Sequence, residues 1–330
     1  MPEARGATLA TLSGMRVLVT GASGFLGHAV TSALADRGHV VVALSRSRVE
    51  VPPKASQHIR ADVRSSADMV DAIAQVDAVC HLAALVRVRD SLSNPLDYWR
   101  TNVGGTLNVL EALVLSATRK APKLLILSST GAVYGTPEHQ PISEDQTTAP
   151  SNPYAATKLA ADLAASHVAA TGAIGAITLR AFNIAGASSG RTDHDLTRLI
   201  PKILAVQAGQ AHELLINGDG SAVRDFVHVD DMADAFSNAL EICRAGDWRV
   251  YNIGSGRRTT VREVVSVAEQ VTGKTVPIRN APPANEPPVL VADVSRAMKE
   301  LDWLPKRSDL TRIISDAWRA TELLSRPGPR

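Results

Sequence analysis

The chain has 330 residues, enough for one large α/β unit or two modest domains, and is 45% hydrophobic and 21% charged, as ordinary globular proteins are. A net charge of +2 without blocks of like charge leaves no footprint for nucleic acid, and no apolar run reaches the ~18 residues of a membrane span. Two cysteines in apolar contexts without ligand spacing, behind a leader lacking an apolar signal core, predict a cytoplasmic protein with buried free thiols and no metal site.

In chain order, MRVLVTG (Met15 to Gly21) predicts a buried strand, and FLGHAVTSALADRGH a helix stopped by Gly38. Between them Gly21, Gly24 and Gly27 spell G-x-x-G-x-x-G. Gly21 permits the tight turn, Gly24 lets the backbone approach a pyrophosphate, and Gly27 lets the helix pack on the strand. The helix dipole and first free amides then face the phosphates, and the loop is read as a dinucleotide site. The second strand, Val40 to Arg46, normally ends in an acid that binds the adenosine ribose. Here Ser45 stands at that place, followed by Arg46 and Arg48, which suit a 2′-phosphate and hence NADP. Asp62, in RADVRS, is a partner for the adenine amino group.

Strands follow at Val76 to Ala84 and Lys123 to Ser129, with one helix over TNVGGTLNVLEALVLSA between them. Gly175 to Gly186 predicts a further strand, and Arg249 to Gly256 a late one returning to the same sheet. Strands alternating with helices predict an α/β fold with a doubly wound parallel sheet. From about Ser188 loops lengthen, and the proline-rich Val276 to Leu290 cannot form a central strand or a helix. The expected division is a dinucleotide domain over 14–187, with 225–262 returning to it, and a smaller lobe from 188–224 and 263–330.

SNPYAATKLAAD places Tyr154 and Lys158 four residues apart on one helical face. An ammonium beside a phenol lowers the tyrosine pKa from ~10, so Tyr154 is expected to move a proton at an alcohol or ketone carbon. LSSTGAVYG supplies hydroxyls at Ser128, Ser129 and Thr130, also at a strand end.

Together with HLAA, TNVGGTLNVLEA, RAFNIAGA, LIPKIL, GDGSAVRDFVHVDDMADA and YNIGSG, these stretches make the chain resemble the extended short-chain dehydrogenase/reductases, in particular the UDP-glucose 4-epimerase group. The resemblance implies a Rossmann-type fold with a C-terminal substrate lobe, and a catalytic set of Tyr154, Lys158 and Thr130. Phe25, Leu26, Val63, Leu82, Ala83, Ala84, Asn102 and Ser128 would join the cofactor site, where the family favours NAD. Asn183, Leu199, Asn217 and Arg224 would contact a nucleotide-sugar, most simply a UDP-sugar, with Thr130 and Tyr154 at its reacting oxygen. The implied reaction is 4-epimerisation: transient oxidation at C4 to a 4-keto sugar, then return of the hydride to its other face. An NADPH-dependent 4-ketoreductase is the alternative. Family dehydratases carry Asp-Glu after the threonine, where this chain has Gly131 and Ala132. The small-lobe Arg-x-Gly-Asp of the family is Pro283 to Glu286 here, which removes one diphosphate ligand; Arg279 is the nearby substitute. The helix containing LAADLAASHVAA would form a two-fold homodimer interface.

Overall fold

The structure is a computed structural model that describes residues 14–47, 51–283 and 286–325. Seven strands form the main sheet: β1 (Arg16–Thr20), β2 (Val40–Ser45), β3 (Gln57–Arg60), β4 (Ala78–His81), β5 (Lys123–Thr130), β6 (Ile174–Ala181) and β7 (Trp248–Ile253). Their order is β7-β6-β5-β4-β1-β2-β3, with every neighbour parallel. The winding reverses between β1 and β4, which opens a crevice at the carboxyl edge where ligands of such sheets bind.

The longer helices, in chain order, are α1 (Phe25–Asp36), α2 (Ser66–Ile73), α3 (Gly105–Ser116), α4 (Pro153–Ala169), α5 (Leu199–Gln207), α6 (Val229–Ile242), α7 (Val261–Thr272) and α8 (Leu310–Ser325). One face of the sheet packs on α1 and α6 through Val30, Leu34, Met232 and Phe236. The other packs on α2, α3 and α4 through Met69, Leu110, Leu113 and Ala165. With both faces covered, the central strands read as continuous apolar runs rather than alternating ones.

A separate core formed by α5, α7 and α8 builds the smaller lobe around Ile203, Leu204, Val264, Ile313 and Trp318. The proline-rich stretch contributes only short strands, Ile278–Ala281 beside Leu214–Asn217 and Val289–Leu290 beside Val223–Arg224. Residues expected in the lobe also pack elsewhere: Val294, Ala297, Leu301 and Trp303 belong to the large core, and the Trp303 indole donates to the Asp231 carbonyl at 2.7 Å.

Two elements differ from their sequence expectation. The helix expected from Thr101 opens with a π-helical turn over Trp99–Gly104, and only Gly105–Ser116 is regular α-helix. Two adjacent glycines weaken the helix there, and the wider turn turns Asn102 inward. The strand expected over Gly175 to Gly186 leaves the sheet at Phe182. Its continuation, Asn183–Ala185, pairs with Phe226–His228 instead.

Asp225 ties these crossings together. Its buried carboxylate accepts from the Ser255 amide and hydroxyl at 2.6 Å, from the Gly256 amide at 2.9 Å and from the Ala292 amide at 3.1 Å. A Cβ on Gly254 would lie 2.4 Å from that carboxylate, so glycine is required after β7. The knot fixes the neighbouring Arg224 at the mouth of the crevice.

Candidate active site

One cleft of about 1620 Å³ runs along the carboxyl edge of the sheet, from Gly21 to Leu290 of the small lobe. A pocket for one small ligand holds roughly 300–1,000 Å³, so there is room here for a dinucleotide and a second ligand.

At one end the glycine loop forms a close cradle. Gly21 has φ +69°, and a Cβ there would lie 2.9 Å from the Ala83 amide nitrogen. A Cβ on Gly27 would lie 2.3 Å from the Gly21 carbonyl oxygen, so the helix lies directly on the turn. Helix α1 has neither a side-chain cap nor an acid in its first turn, and Gly24, Phe25 and Leu26 line the cleft. An uncapped, carboxylate-free helix start facing a cavity is a site for an anion such as a pyrophosphate. The residues therefore fit a dinucleotide.

Ser45, Arg46, Asp62 and Val63 also line this end, whereas Arg48 lies outside the described residues. Arg64 grips the Asp62 carboxylate through two donors, at 2.6 and 3.1 Å, and holds that carboxyl below the usual carboxylate range.

Leu82, Ala83 and Ala84 leave the end of β4 along the cleft. Thr20 Oγ1 accepts from the Leu82 and Ala83 amides at 3.2 Å and pairs with His81 Nδ1 at 2.7 Å. Burial and then the nearby Lys158 charge push His81 down to about 3, so it stays neutral. Asn102 does not line the cleft. Its side chain accepts from the Leu85 amide at 2.8 Å and donates to the Leu85 carbonyl and Thr157 hydroxyl at 3.0 Å. It is a positioning residue that ties this cofactor wall to α4.

Helix α4 starts at Pro153 with Asn152 as its cap, the Asn152 side chain accepting from the Ala155 amide at 2.9 Å. This start brings Tyr154 into the cleft beside Thr130 and Ser128 at the end of β5. Tyr98 meets the Tyr154 ring edge-on at 6.4 Å. The spacing predicts a depressed phenol, and the structure corrects this. Burial pushes the Tyr154 phenol above its ordinary value, against the hydrogen-bonding Thr130 hydroxyl and the Arg198 charge. Removing the phenolate from water outweighs those two pulls.

Lys158 is buried one turn along, and burial pulls its ammonium down to about 8 while Asp162 opposes that pull. Asp162 in turn holds Arg180 at 3.1 Å, Arg180 donates to the Tyr134 hydroxyl at 2.9 Å, and Tyr134 donates to Asn252 at 2.9 Å. A chain of hydrogen bonds and charge thus runs from Asp162 into the core and holds its carboxylate where its charge reaches Lys158. Asp162 was missed from sequence, although its place four residues after Lys158 is the signal that could have found it.

The other end of the cleft is lined by Asn183, Leu199, Asn217, Arg224 and Leu290. Arg224 donates to Glu286 at 3.2 Å and to the Pro287 carbonyl at 2.9 Å. Arg279 pairs with Glu213 and does not line the cleft, so it is not the substitute for the missing arginine. Instead, Arg87, Arg89, Arg198 and Lys202 line it. Arg87 meets Asp195 at 3.2 Å and Arg198 meets Asp193 at 2.9 Å. Arg89 and Lys202 have no ion pair among the described residues, and burial and then the Arg89 charge lower the Lys202 ammonium. The Glu286 and Asp195 charges offset Lys202 only in part, and two cations without a direct ion pair in one cleft suit an anion. Sequence reading overlooked them because Val88–Ser93 and α5 are brought together only by the fold.

A Cβ on Gly131 would lie 2.9 Å from the Phe182 ring, so no acid can enter after Thr130 without displacing that ring. Among the described residues no cluster of three His, Cys, Asp or Glu could hold a metal ion, and no helix is long and apolar enough to cross a membrane.

A model of the NAD dependent epimerase/dehydratase family matches residues 17–254. The chain belongs to this family. Among curated members, the UDP-glucose 4-epimerase of Corynebacterium glutamicum is 37% identical, covering 94% of this chain and 97% of its own. That of Streptomyces lividans is 39% identical over 92% and 95%. Among solved structures, the UDP-glucose-4-epimerase of Stenotrophomonas maltophila, with bound NAD and formylated UDP-arabinopyranose, has a TM-score of 0.87 at 32% identity, covering 94% of this chain and 99% of that one. The Brucella ovis enzyme in complex with NAD has a TM-score of 0.85 at 32% identity over 92% and 98%. The family matches span the glycine cradle, the Tyr154 helix and the Arg224 mouth alike.

Proposed function

We propose that this protein is a UDP-sugar 4-epimerase of the UDP-glucose/UDP-galactose type, working on a resident nicotinamide dinucleotide. One observation carries this: Tyr154 and Thr130 stand together midway along a single cleft with a dinucleotide cradle at one end and a cationic mouth at the other. Relatives similar over nearly the whole chain are UDP-glucose 4-epimerases, which supports the substrate class.

When bound, the dinucleotide supplies a hydride acceptor and donor. Tyr154 takes the proton of the sugar's C4 hydroxyl as that carbon is oxidised, and returns it when the 4-keto sugar has turned over. Thr130 shares the reacting oxygen, and the Lys158 cation and Arg198 stabilise the phenolate that burial disfavours. Asn183 and Arg224 hold the nucleotide part, with Leu199 and Asn217 walling the base. The diphosphate charge is met by Arg224 together with Lys202 and Arg89. Replacing Lys202 by Ala is therefore expected to raise KM for the UDP-sugar about tenfold while kcat changes less, as loss of one charge-assisted contact does. An unchanged KM removes Lys202 from the diphosphate site.

The test of the reaction is incubation of the purified protein with UDP-glucose alone. UDP-galactose should appear to a constant ratio without accumulation of reduced dinucleotide in solution. Absence of any C4 epimer overturns the reading for this substrate.

Leu107, Val114 and Leu115 on α3 and Leu163 on α4 are exposed, Leu115 to 68% and Leu163 to 50%. This apolar face supports a two-fold homodimer through α3 and α4. Sedimentation should give twice the chain mass, and Leu115→Glu should shift it to the monomer; a monomeric wild type overturns the dimer. The free, buried thiols Cys80 and Cys243 support placement in the cytoplasm, a placement that localisation of the tagged protein checks.

A further inference from the structure

The end of β2 differs in kind from the rest of the cradle. Ser45 is 5% exposed and lines the cleft where a carboxylate would meet the ribose hydroxyls. Its hydroxyl donates to the Ser47 carbonyl at 2.5 Å and pairs with His58 Nε2 at 2.8 Å. With its proton committed to Ser47, Ser45 accepts from His58 and retains at most one weak, neutral acceptor position for a ribose hydroxyl.

The charges around it are positive. Arg46 follows directly, is exposed and lines the cleft, and its guanidinium has no hydrogen bond or ion pair among the described residues. Arg60, opposite Ser45 in the β2–β3 register, donates to the Arg46 carbonyl at 3.3 Å and keeps a second guanidinium on this edge. The nearest carboxylate on the cleft wall, Asp62, is neutralised by Arg64. The Asp68 carboxylate faces inward, accepting from the Asp62 amide at 3.1 Å. Nothing described at this corner would repel a dianion, and Arg46 is a free fork donor for one.

We propose that Arg46 forms a 2′-phosphate site beside the neutral Ser45, so that this chain holds NADP in preference to NAD. The inference rests on the reading that the cleft takes a nicotinamide dinucleotide, and it separates this chain from the relatives solved with NAD. The chemistry of epimerisation is unaffected, because the phosphate lies at the adenosine end.

The test is a competition read by binding. The purified protein is incubated with equal excess NADP and NAD until the bound ratio is constant, freed of unbound dinucleotide, denatured, and the released dinucleotide identified by chromatography. The expected bound ratio favours NADP by about tenfold or more, as a charge-assisted contact to phosphate would give. Arg46→Ala should bring the ratio to one or below, and Ser45→Asp should invert it by restoring the ribose acceptor. A wild-type ratio at or below one overturns the phosphate site and leaves the proposed epimerase intact, as does a ratio that Arg46→Ala does not move. Release of neither dinucleotide overturns both.

Discussion

Tyr154→Phe is expected to lower kcat by about 10²–10⁴-fold while leaving the bound dinucleotide in place. The ring keeps its edge contact with Tyr98 and its place at the start of α4, so the substitution removes one hydroxyl and little packing. What is lost is the group that takes and returns the substrate proton next to Thr130. Burial holds the phenol in its protonated form, so only a partner that stabilises the anion lets it act as a base. Retained turnover in the Phe variant would show that another group moves the proton, and the assignment would fail.

Lys158→Met should cost about 10²–10³-fold in kcat, the scale of deleting one electrostatic donor from a preorganised site. It should also change the pH profile. The Lys158 ammonium titrates at about 8, below the usual lysine value. The cation is therefore present below that pH and lost as pH rises through it, so kcat/KM should fall above about pH 8. In the Met variant this alkaline fall should vanish. Asp162 pulls the Lys158 pKa upward, so Asp162→Asn should move the fall to lower pH, a shift that loss of structure alone would not produce. An alkaline limb that stays in place in both variants assigns it to a different group.

Much of this site is legible in the sequence because its parts are local. The glycine spacing, the Tyr154–Lys158 interval and the hydroxyls ending β5 each depend on residues within one turn or strand end. What escaped depends on residues brought together from afar. Arg89 and Lys202 lie more than a hundred residues apart, and only the packing of α5 over the cleft makes them neighbours in charge. Arg279 looked close in sequence to the gap at Pro283, but Ile278–Ala281 pairs with Leu214–Asn217 and its guanidinium meets Glu213. The phenol's direction of shift was misjudged for a related reason: an interval of four residues reports proximity and says nothing of burial. The strand break at Phe182 was hidden because both of its halves are apolar and extended. Asn183 joins Phe226–His228 only through the Asp225 crossing.

The central claim is that hydride leaves and returns to the same sugar carbon within one cleft. It is tested most directly with UDP-glucose carrying deuterium at C4 and no added dinucleotide. The expected product is UDP-galactose that retains the deuterium at C4. Loss of the label, or a product formed only when reduced dinucleotide is supplied, contradicts it and points to the ketoreductase chemistry the same residues could perform.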